Sequence, residues 1–290
     1  MIPNPNGRHK LMPDKDKITP LHSLGQNFLK DRSIARRIVD TIPQKPVTII
    51  EIGPGLGILT DLMVERGYDL RAYELDQRCF RILKERYKGN DKVIIENRDI
   101  MDVLCKEDLA LGHYIVSNLP FNISSAIISR ILDLTHYPFQ EDYRFCGATL
   151  MFQKEFADRL MADHGTKAYG RLSITFKSKL EAHRVLEVNR SCFHPEPKVD
   201  ASVLVLGRRM EPLRVINDTA LFERILKTAF AGRRRQLKNS LNSGSMGLRL
   251  DKMKVEKVLA DMGMDRKRPE EIPADDFICL ANRLSTTSNG

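Results

Sequence analysis

The stretch VTIIEIGPGLG (Val47–Gly57) decides how the rest of the chain is read. Four of its first six residues are apolar and five are β-branched, without polar alternation. That is the pattern of a short strand buried on both faces, as in a parallel sheet. Gly53, Gly55 and Gly57 follow at once. Glycines at the end of a strand permit a tight turn and let a ligand approach the main chain. A dinucleotide turn would read G-x-G-x-x-G, with its third glycine at position 58, but Ile58 stands there. The pattern is E-x-G-x-G-x-G instead.

Outward from this turn, strand and helix signals alternate. LGILTDLMVERG has apolar residues at helical spacing and stops at Gly67. Asp69–Leu75 reads as a second strand, and Asp76 as the N-cap of a helix that ends near Gly89. Lys92–Asp99 is a third strand and Tyr114–Asn118 a fourth, followed by a helix over Ser124–Leu134. Arg144–Phe152 is a fifth strand, with KEFADRLMA a helix after it. RLSITFKSKL (Arg171–Leu180) and DASVLVLGRR (Asp200–Arg209) read as later strands that pair antiparallel. The expected architecture is α/β, a sheet with helices on both faces. After Gly207 helical segments dominate: Ala220–Phe230, Arg234–Leu241, Lys254–Met262 and Asp275–Leu284. The expected division is a loose tail over 1–20, a sheet domain over 21–207 and a small C-terminal helical domain over 208–290.

Composition narrows the class. The chain has 290 residues, 42% hydrophobic and 29% charged, ordinary values for a globular protein. No run of 18 apolar residues is present to span a membrane, and MIPNPNGRHKLMPDKDKITP has no apolar core of a secretory signal. The five cysteines are scattered and no C-x-x-C pair occurs, so neither a zinc site nor a disulfide framework is expected and a reducing cytoplasm fits. The net charge of +9 points to a polyanionic partner. Within Lys227–Lys238 the cations Arg233, Arg234, Arg235 and Lys238 stand with no acid among them. This run reads either as a nucleic-acid contact or as a solvated helix face, and the lack of a compensating acid favours the first.

EIGPGLG resembles the first motif of S-adenosylmethionine-dependent methyltransferases. Glu74 ends the second strand, where a carboxylate accepts both hydroxyl protons of a ribose. Asp99 follows the third strand and is placed to accept from an adenine amino group, with Leu75 and Ile100 on either side of the purine. At the end of the fourth strand stands Asn118-Leu119-Pro120-Phe121. An exocyclic amine on a base is a poor nucleophile because its lone pair is delocalised into the ring. The Asn118 side-chain carbonyl and the main-chain carbonyl of Leu119 or Pro120 offer two acceptors that favour a pyramidal nitrogen and aim its lone pair at the methyl group. Pro120 stiffens the turn, and Phe121 supplies a face on which an extruded base stacks.

In these motifs the chain resembles the ribosomal RNA small-subunit adenine N6,N6-dimethyltransferase family (KsgA-like). The resemblance runs from Leu24 to Leu241. LGQNFLKD (Leu24–Asp31) is similar to the family's N-terminal motif, which implies that Asn27 and Leu29 touch the cofactor. FHPEPKVDASV (Phe193–Val203) and AFAGRRRQLKNSL (Ala229–Leu241) resemble two further motifs. Two departures are present: Phe121 stands where the family usually has Tyr, and Asp200-Ala201-Ser202 where it often reads D-S-A. The resemblance implies a Rossmann-like class I methyltransferase sheet binding S-adenosyl-L-methionine, with S-adenosyl-L-homocysteine as product. It implies dimethylation of two adjacent adenosines in the 3′-terminal hairpin loop of small-subunit rRNA, within a pre-small-subunit particle. A cytoplasmic monomer is the default expectation. Phe193 reads either as the second wall of the base slot or as a core aromatic; Arg233, Arg234, Arg235 and Lys238 would contact phosphates. The rivals are a 23S rRNA adenine methyltransferase, which usually carries N-I-P in place of Asn118-Leu119-Pro120, and a non-catalytic assembly or transcription factor on the same fold.

Overall fold

The computed structural model describes residues 18–21, 24–44, 48–104, 113–135, 145–209, 213–243 and 250–285. The tail expected over 1–20 lies outside the described residues except for Ile18, Thr19 and Pro20. The described part opens with strand β1 (Phe28–Leu29) and helix α1 (Arg32–Val39), capped by Asp31. Strands β2 (Thr48–Ile52), β3 (Asp69–Tyr73), β4 (Val93–Glu96), β5 (His113–Asn118) and β6 (Phe145–Gln153) then alternate with helices α2 (Ile58–Glu65), α3 (Gln77–Arg86), α4 (Ile100–Val103) and α5 (Ser124–Leu134). Helices α6 (Lys154–Met161) and α7 (Arg171–Lys179) precede strands β7 (Leu180–Val188), β8 (Phe193–His194) and β9 (Ala201–Arg208). Among the described residues that follow, the α-helices are α8 (Thr219–Ala231), α9 (Leu237–Asn242), α10 (Lys252–Asp261) and α11 (Ala274–Ser285).

The main sheet runs β4-β3-β2-β5-β6-β9-β7. Strands β4 through β6 are mutually parallel, and β9 is antiparallel to both β6 and β7. The strand order reverses between β2 and β5. Helices that leave these two strands must diverge to opposite faces, which opens a crevice at the strands' carboxyl ends.

The absence of polar alternation in β2 now has its reason. Ile50 and Ile52 point into one core with α4, α5 and α6, while Ile49 points into another with α1 and α2. A third core belongs to the helical half: Leu221, Phe222, Ile225, Leu259, Phe277 and Leu280 pack with Ala162, Tyr169 and Ile174 from the sheet half. The Tyr169 hydroxyl donates to the Ile272 carbonyl at 2.9 Å.

One element differs from its sequence reading. Arg171–Lys179 is a helix, not a strand, and the antiparallel partner of β9 is the next segment, Leu180–Val188. Helix α7 lies between two cores. Leu172 and Phe176, four residues apart, face the sheet, while Ile174 faces the helical half. Burial on opposite sides of a helix places apolar residues at every second position, which imitates a strand. The Ser173 hydroxyl donates to the Arg159 carbonyl at 2.6 Å and accepts from the Gly170 N–H, which fixes the helix start.

A two-stranded ladder joins the front of the chain to its middle: Phe28 pairs with His194 and Leu29 with Phe193, antiparallel. Phe193 is 1% exposed and packs with Leu29, Ile38 and Val203. Of its two readings, the packing supports the core aromatic. Truncating a buried Phe removes its transfer energy and leaves a cavity. Phe193→Ala is expected to lower unfolding stability by about 3–5 kcal/mol, measured by denaturant titration; a loss under about 1 kcal/mol would mean the ring is not in the core.

Candidate active site

The crevice at the switch point is built from three turns and one strap. The first turn is Gly53–Gly57. The Gly53 N–H donates to the Tyr73 carbonyl, and the Gly57 N–H to that of Pro54. Gly53 and Gly55 have φ of +60° and +59°, a region that side-chain-bearing residues rarely adopt. A Cβ at Gly55 would stand 2.9 Å from the Phe28 ring. Phe28 thus lies directly against the loop, and only glycine fits beneath it.

The second turn follows β3. Glu74 is 5% exposed and its carboxylate is shared between turns: Oε2 accepts from the Gly55 N–H and Oε1 from the Asp76 N–H, both at 2.8 Å. A carboxylate has about four lone-pair positions, so both oxygens retain capacity for ligand hydroxyls. Burial raises the Glu74 pKa, and the N–H groups of Asp76 and Gly55 oppose that rise. Asn97 holds the turn from β4, donating to the Glu74 carbonyl at 2.7 Å. Asp99 caps α4 with Oδ1, which accepts from the Met101 N–H. Leu75 and Ile100 line the same crevice, Leu75 half exposed and Ile100 buried.

The third turn is Asn118–Ile123. The Pro120 carbonyl accepts from the Ile123 N–H, which closes the turn before α5. Leu119 is buried, whereas Asn118, Pro120 and Phe121 are half-buried at the crevice.

The strap is Leu24–Leu29, laid over all three turns. Asn118 donates its Nδ2 to the Asn27 carbonyl at 3.0 Å, which leaves Oδ1 as the acceptor end of that amide. Gln26 donates to Asp76 Oδ2 at 2.9 Å and accepts from the Leu21 N–H at 2.8 Å. Asp76 also receives the Arg78 guanidinium, which holds its carboxyl down near a pKa of about 2.

Asn27, Leu29, Gly53, Glu74, Asp99, Asn118, Leu119, Pro120 and Phe121, expected at the site, all line this one crevice. Sequence reasoning missed Gln26, Phe28 and Asn97, and it read Glu51 only as the acid ahead of the glycine turn. Gln26 and Phe28 sit inside the LGQNFLKD motif, but Gln26 is in irregular chain and Phe28 in a two-residue strand, so no periodicity marks either. Glu51 is buried in β2 and accepts from the Thr60 hydroxyl at 2.7 Å. Desolvation pushes its pKa up to about 8, with smaller contributions from Asp61 and Glu74. Among the described residues no cluster of His, Cys, Asp or Glu is arranged to hold a metal ion. No described helix is long and apolar enough to cross a membrane.

The basic run is differently disposed from its sequence reading. Its arginines occupy a turn between α8 and α9 rather than a helix, and the acids it lacks come from elsewhere. Arg233 pairs with Glu270 at 2.6 Å and donates to the Thr166 carbonyl, while Lys238 pairs with Glu256 at 3.3 Å. Arg234 and Arg235 are exposed.

A doubly wound sheet with an acid-lined crevice at its switch point, a glycine turn after the first strand and an Asn-Leu-Pro-Phe turn after the fourth defines a class I methyltransferase. Solved structures of similar fold support this: the crystal structure of a dimethyladenosine transferase from Plasmodium falciparum superposes with a TM-score of 0.71 at 26% identity, covering 87% of this chain and 95% of its own. The 23S rRNA methyltransferase ErmE gives 0.64 at 28%, covering 89% and 99%. The chain belongs to the ribosomal RNA adenine dimethylase family, whose model matches residues 21–275. Relatives called ribosomal RNA small subunit methyltransferase A include that of Syntrophus aciditrophicus, 39% identical over 278 residues (92% of this chain, 95% of the relative). That of Geobacter sulfurreducens is 37% identical over 277 residues (93% and 96%).

Glu51 gives the site a pH signature. Its folded pKa lies above the ordinary carboxyl value, so between about pH 5 and 8 the folded state holds a proton that the unfolded state has released. Its contribution is complete at low pH and is lost as pH rises through this window. Glu51→Gln keeps a carbonyl for Thr60 and is expected to flatten the fall in stability between pH 5 and 8, read by thermal unfolding across that range. An unchanged slope would place the titration elsewhere.

Proposed function

We propose that this enzyme transfers methyl groups from S-adenosylmethionine to N6 of two adjacent adenosines in the 3′-terminal hairpin loop of small-subunit rRNA, in the cytoplasm, as a monomer acting on an assembling small-subunit particle. The observation that carries the reading is the orientation of Asn118. Its amide nitrogen is occupied by the Asn27 carbonyl, so its oxygen is the group free to meet an amine.

The residues fit the cofactor. Glu74 would grip the ribose with its remaining lone pairs, Asp99 would take the adenine amino group with Oδ2, and Leu75 and Ile100 would flank the purine. Gly53 and Gly55 admit a ligand against main chain, and Asn27 and Leu29 would contact it from the strap. When bound, S-adenosylmethionine supplies a methyl carbon activated by its positive sulfur, and S-adenosylhomocysteine is left.

The chain's own part is orientation. Asn118 Oδ1 and one carbonyl of the turn accept the two N–H groups of the adenine amine. The Pro120 carbonyl is already engaged by Ile123, so Leu119 is the better second acceptor. Two acceptors localise the nitrogen lone pair and aim it, a contribution of geometry and electrostatics. The proton departs after transfer, so no general base is required. The second methylation begins from an amine with a single N–H, which one acceptor satisfies. Phe121 stacks on the extruded base, and Arg234 and Arg235, exposed on their turn, contact phosphates.

The decisive experiment incubates labelled S-adenosylmethionine with undermethylated small subunits and analyses the nucleosides. Labelled N6,N6-dimethyladenosine is expected, and free large-subunit RNA should take up none. RNA binding without label would favour a non-catalytic assembly factor. Asn118→Ala should leave cofactor binding within about threefold while cutting transfer by at least about a hundredfold, a loss comparable with removing one preorganised electrostatic group; full turnover would refute the acceptor role. Arg234→Ala is expected to weaken RNA binding and reduce the slope of log affinity against log salt by about one. An unaltered slope would make this turn a solvated surface.

A further inference from the structure

We infer that Gln26 is a positioning residue for the transfer step: by anchoring the strap to Asp76 it holds the Asn27 carbonyl against Asn118 and so aims the catalytic amide. This deepens the proposed function and rests on it. The strap would ordinarily be counted as a cofactor contact alone, through Asn27 and Leu29. The hydrogen bonds assign it a second task.

An Asn side chain has two nearly isosteric ends, one donor and one acceptor. At the crevice only the acceptor end is useful to an amine. Rotation of the amide by half a turn would present N–H to N–H and repel the substrate. The Asn27 carbonyl, 3.0 Å from Asn118 Nδ2, selects the useful rotamer. That carbonyl belongs to the strap, so the amide is aimed only as firmly as the strap is held.

Gln26 holds it from both ends of its side chain. Oε1 accepts from the Leu21 N–H and Nε2 donates to Asp76 Oδ2. Asp76 is itself fixed: it is 5% exposed, caps α3 through the Arg78 N–H, and receives the Arg78 guanidinium. Arg78 donates in turn to the Thr19 carbonyl at 3.0 Å. On its other side the strap touches the catalytic turn, since a Cβ at Gly25 would stand 2.8 Å from Asn122 Oδ1, at a φ of +62°. The strap is therefore seated between Asp76 and the Asn118–Asn122 turn, with the Asn27 carbonyl between them.

The test is a double-mutant cycle on the full chain. Asn118→Asp keeps acceptor oxygens for the amine but has no N–H for Asn27. Single-turnover methyl transfer to undermethylated small subunits is measured at saturating cofactor for the wild type, Gln26→Ala, Asn118→Asp and the double variant. Gln26→Ala is expected to slow the wild-type background about tenfold, the worth of about one oriented hydrogen bond, and the Asn118→Asp background less than about twofold. An equal factor in both backgrounds, or full speed in Gln26→Ala once cofactor is saturating, would overturn the inference. A second readout needs no turnover. The Asn118 side-chain NH2 resonances, assigned by their loss in Asn118→Asp, should shift and exchange faster with solvent in Gln26→Ala; resonances unmoved by that change would also overturn it. A wild type that transfers no methyl group at all would overturn instead the function on which the inference rests.

Discussion

The crevice depends on the sharing of one buried carboxylate. Glu74 accepts the N–H of Gly55 with one oxygen and that of Asp76 with the other. The first bond ties the glycine loop after β2 to the end of β3. The second fixes the start of α3, which carries the Asp76 that anchors the strap. Desolvating a carboxylate is costly unless it is hydrogen-bonded, and these two bonds meet that cost while leaving lone pairs free. A residue with no acceptor oxygens here would leave the Gly55 and Asp76 N–H groups without this partner, so one side chain ties two turns of the crevice together.

Much of this was legible in the sequence because parallel strands and their turns follow local rules. The apolar run of β2 and the glycines after it placed the switch point, and the residues expected at three strand ends converge on one crevice. Asp76 acts as the predicted cap, and α5 spans Ser124–Leu134 as its spacing implied. The failures share a cause, which is burial or pairing against distant parts of the chain. Helix α7 was read as a strand because two different cores bury it. Arg233 and Lys238 seemed uncompensated because Glu270 and Glu256 lie far along the sequence. Phe193 was open between two readings because its partner Leu29 is equally remote.

Charge is sorted within the fold. A chain of net +9 places two acidic residues, Glu74 and Asp99, at its crevice. Two of the cations singled out in the sequence are consumed by internal pairs that join elements of the helical half to each other or to the loop at Thr166. Arg234 and Arg235 are exposed on the turn between them.

The small ladder between β1 and β8 has a consequence for how the molecule is made. Phe28 and Leu29 leave the synthesising ribosome early, whereas His194 and Phe193 follow only after most of the sheet has been translated. Contacts of such sequence separation form slowly, because a long loop must close before they repay its entropy. The nascent amino-terminal arm therefore waits without its partner while the parallel strands assemble. The crevice under the arm takes its final form only late in biosynthesis, when the arm is clasped.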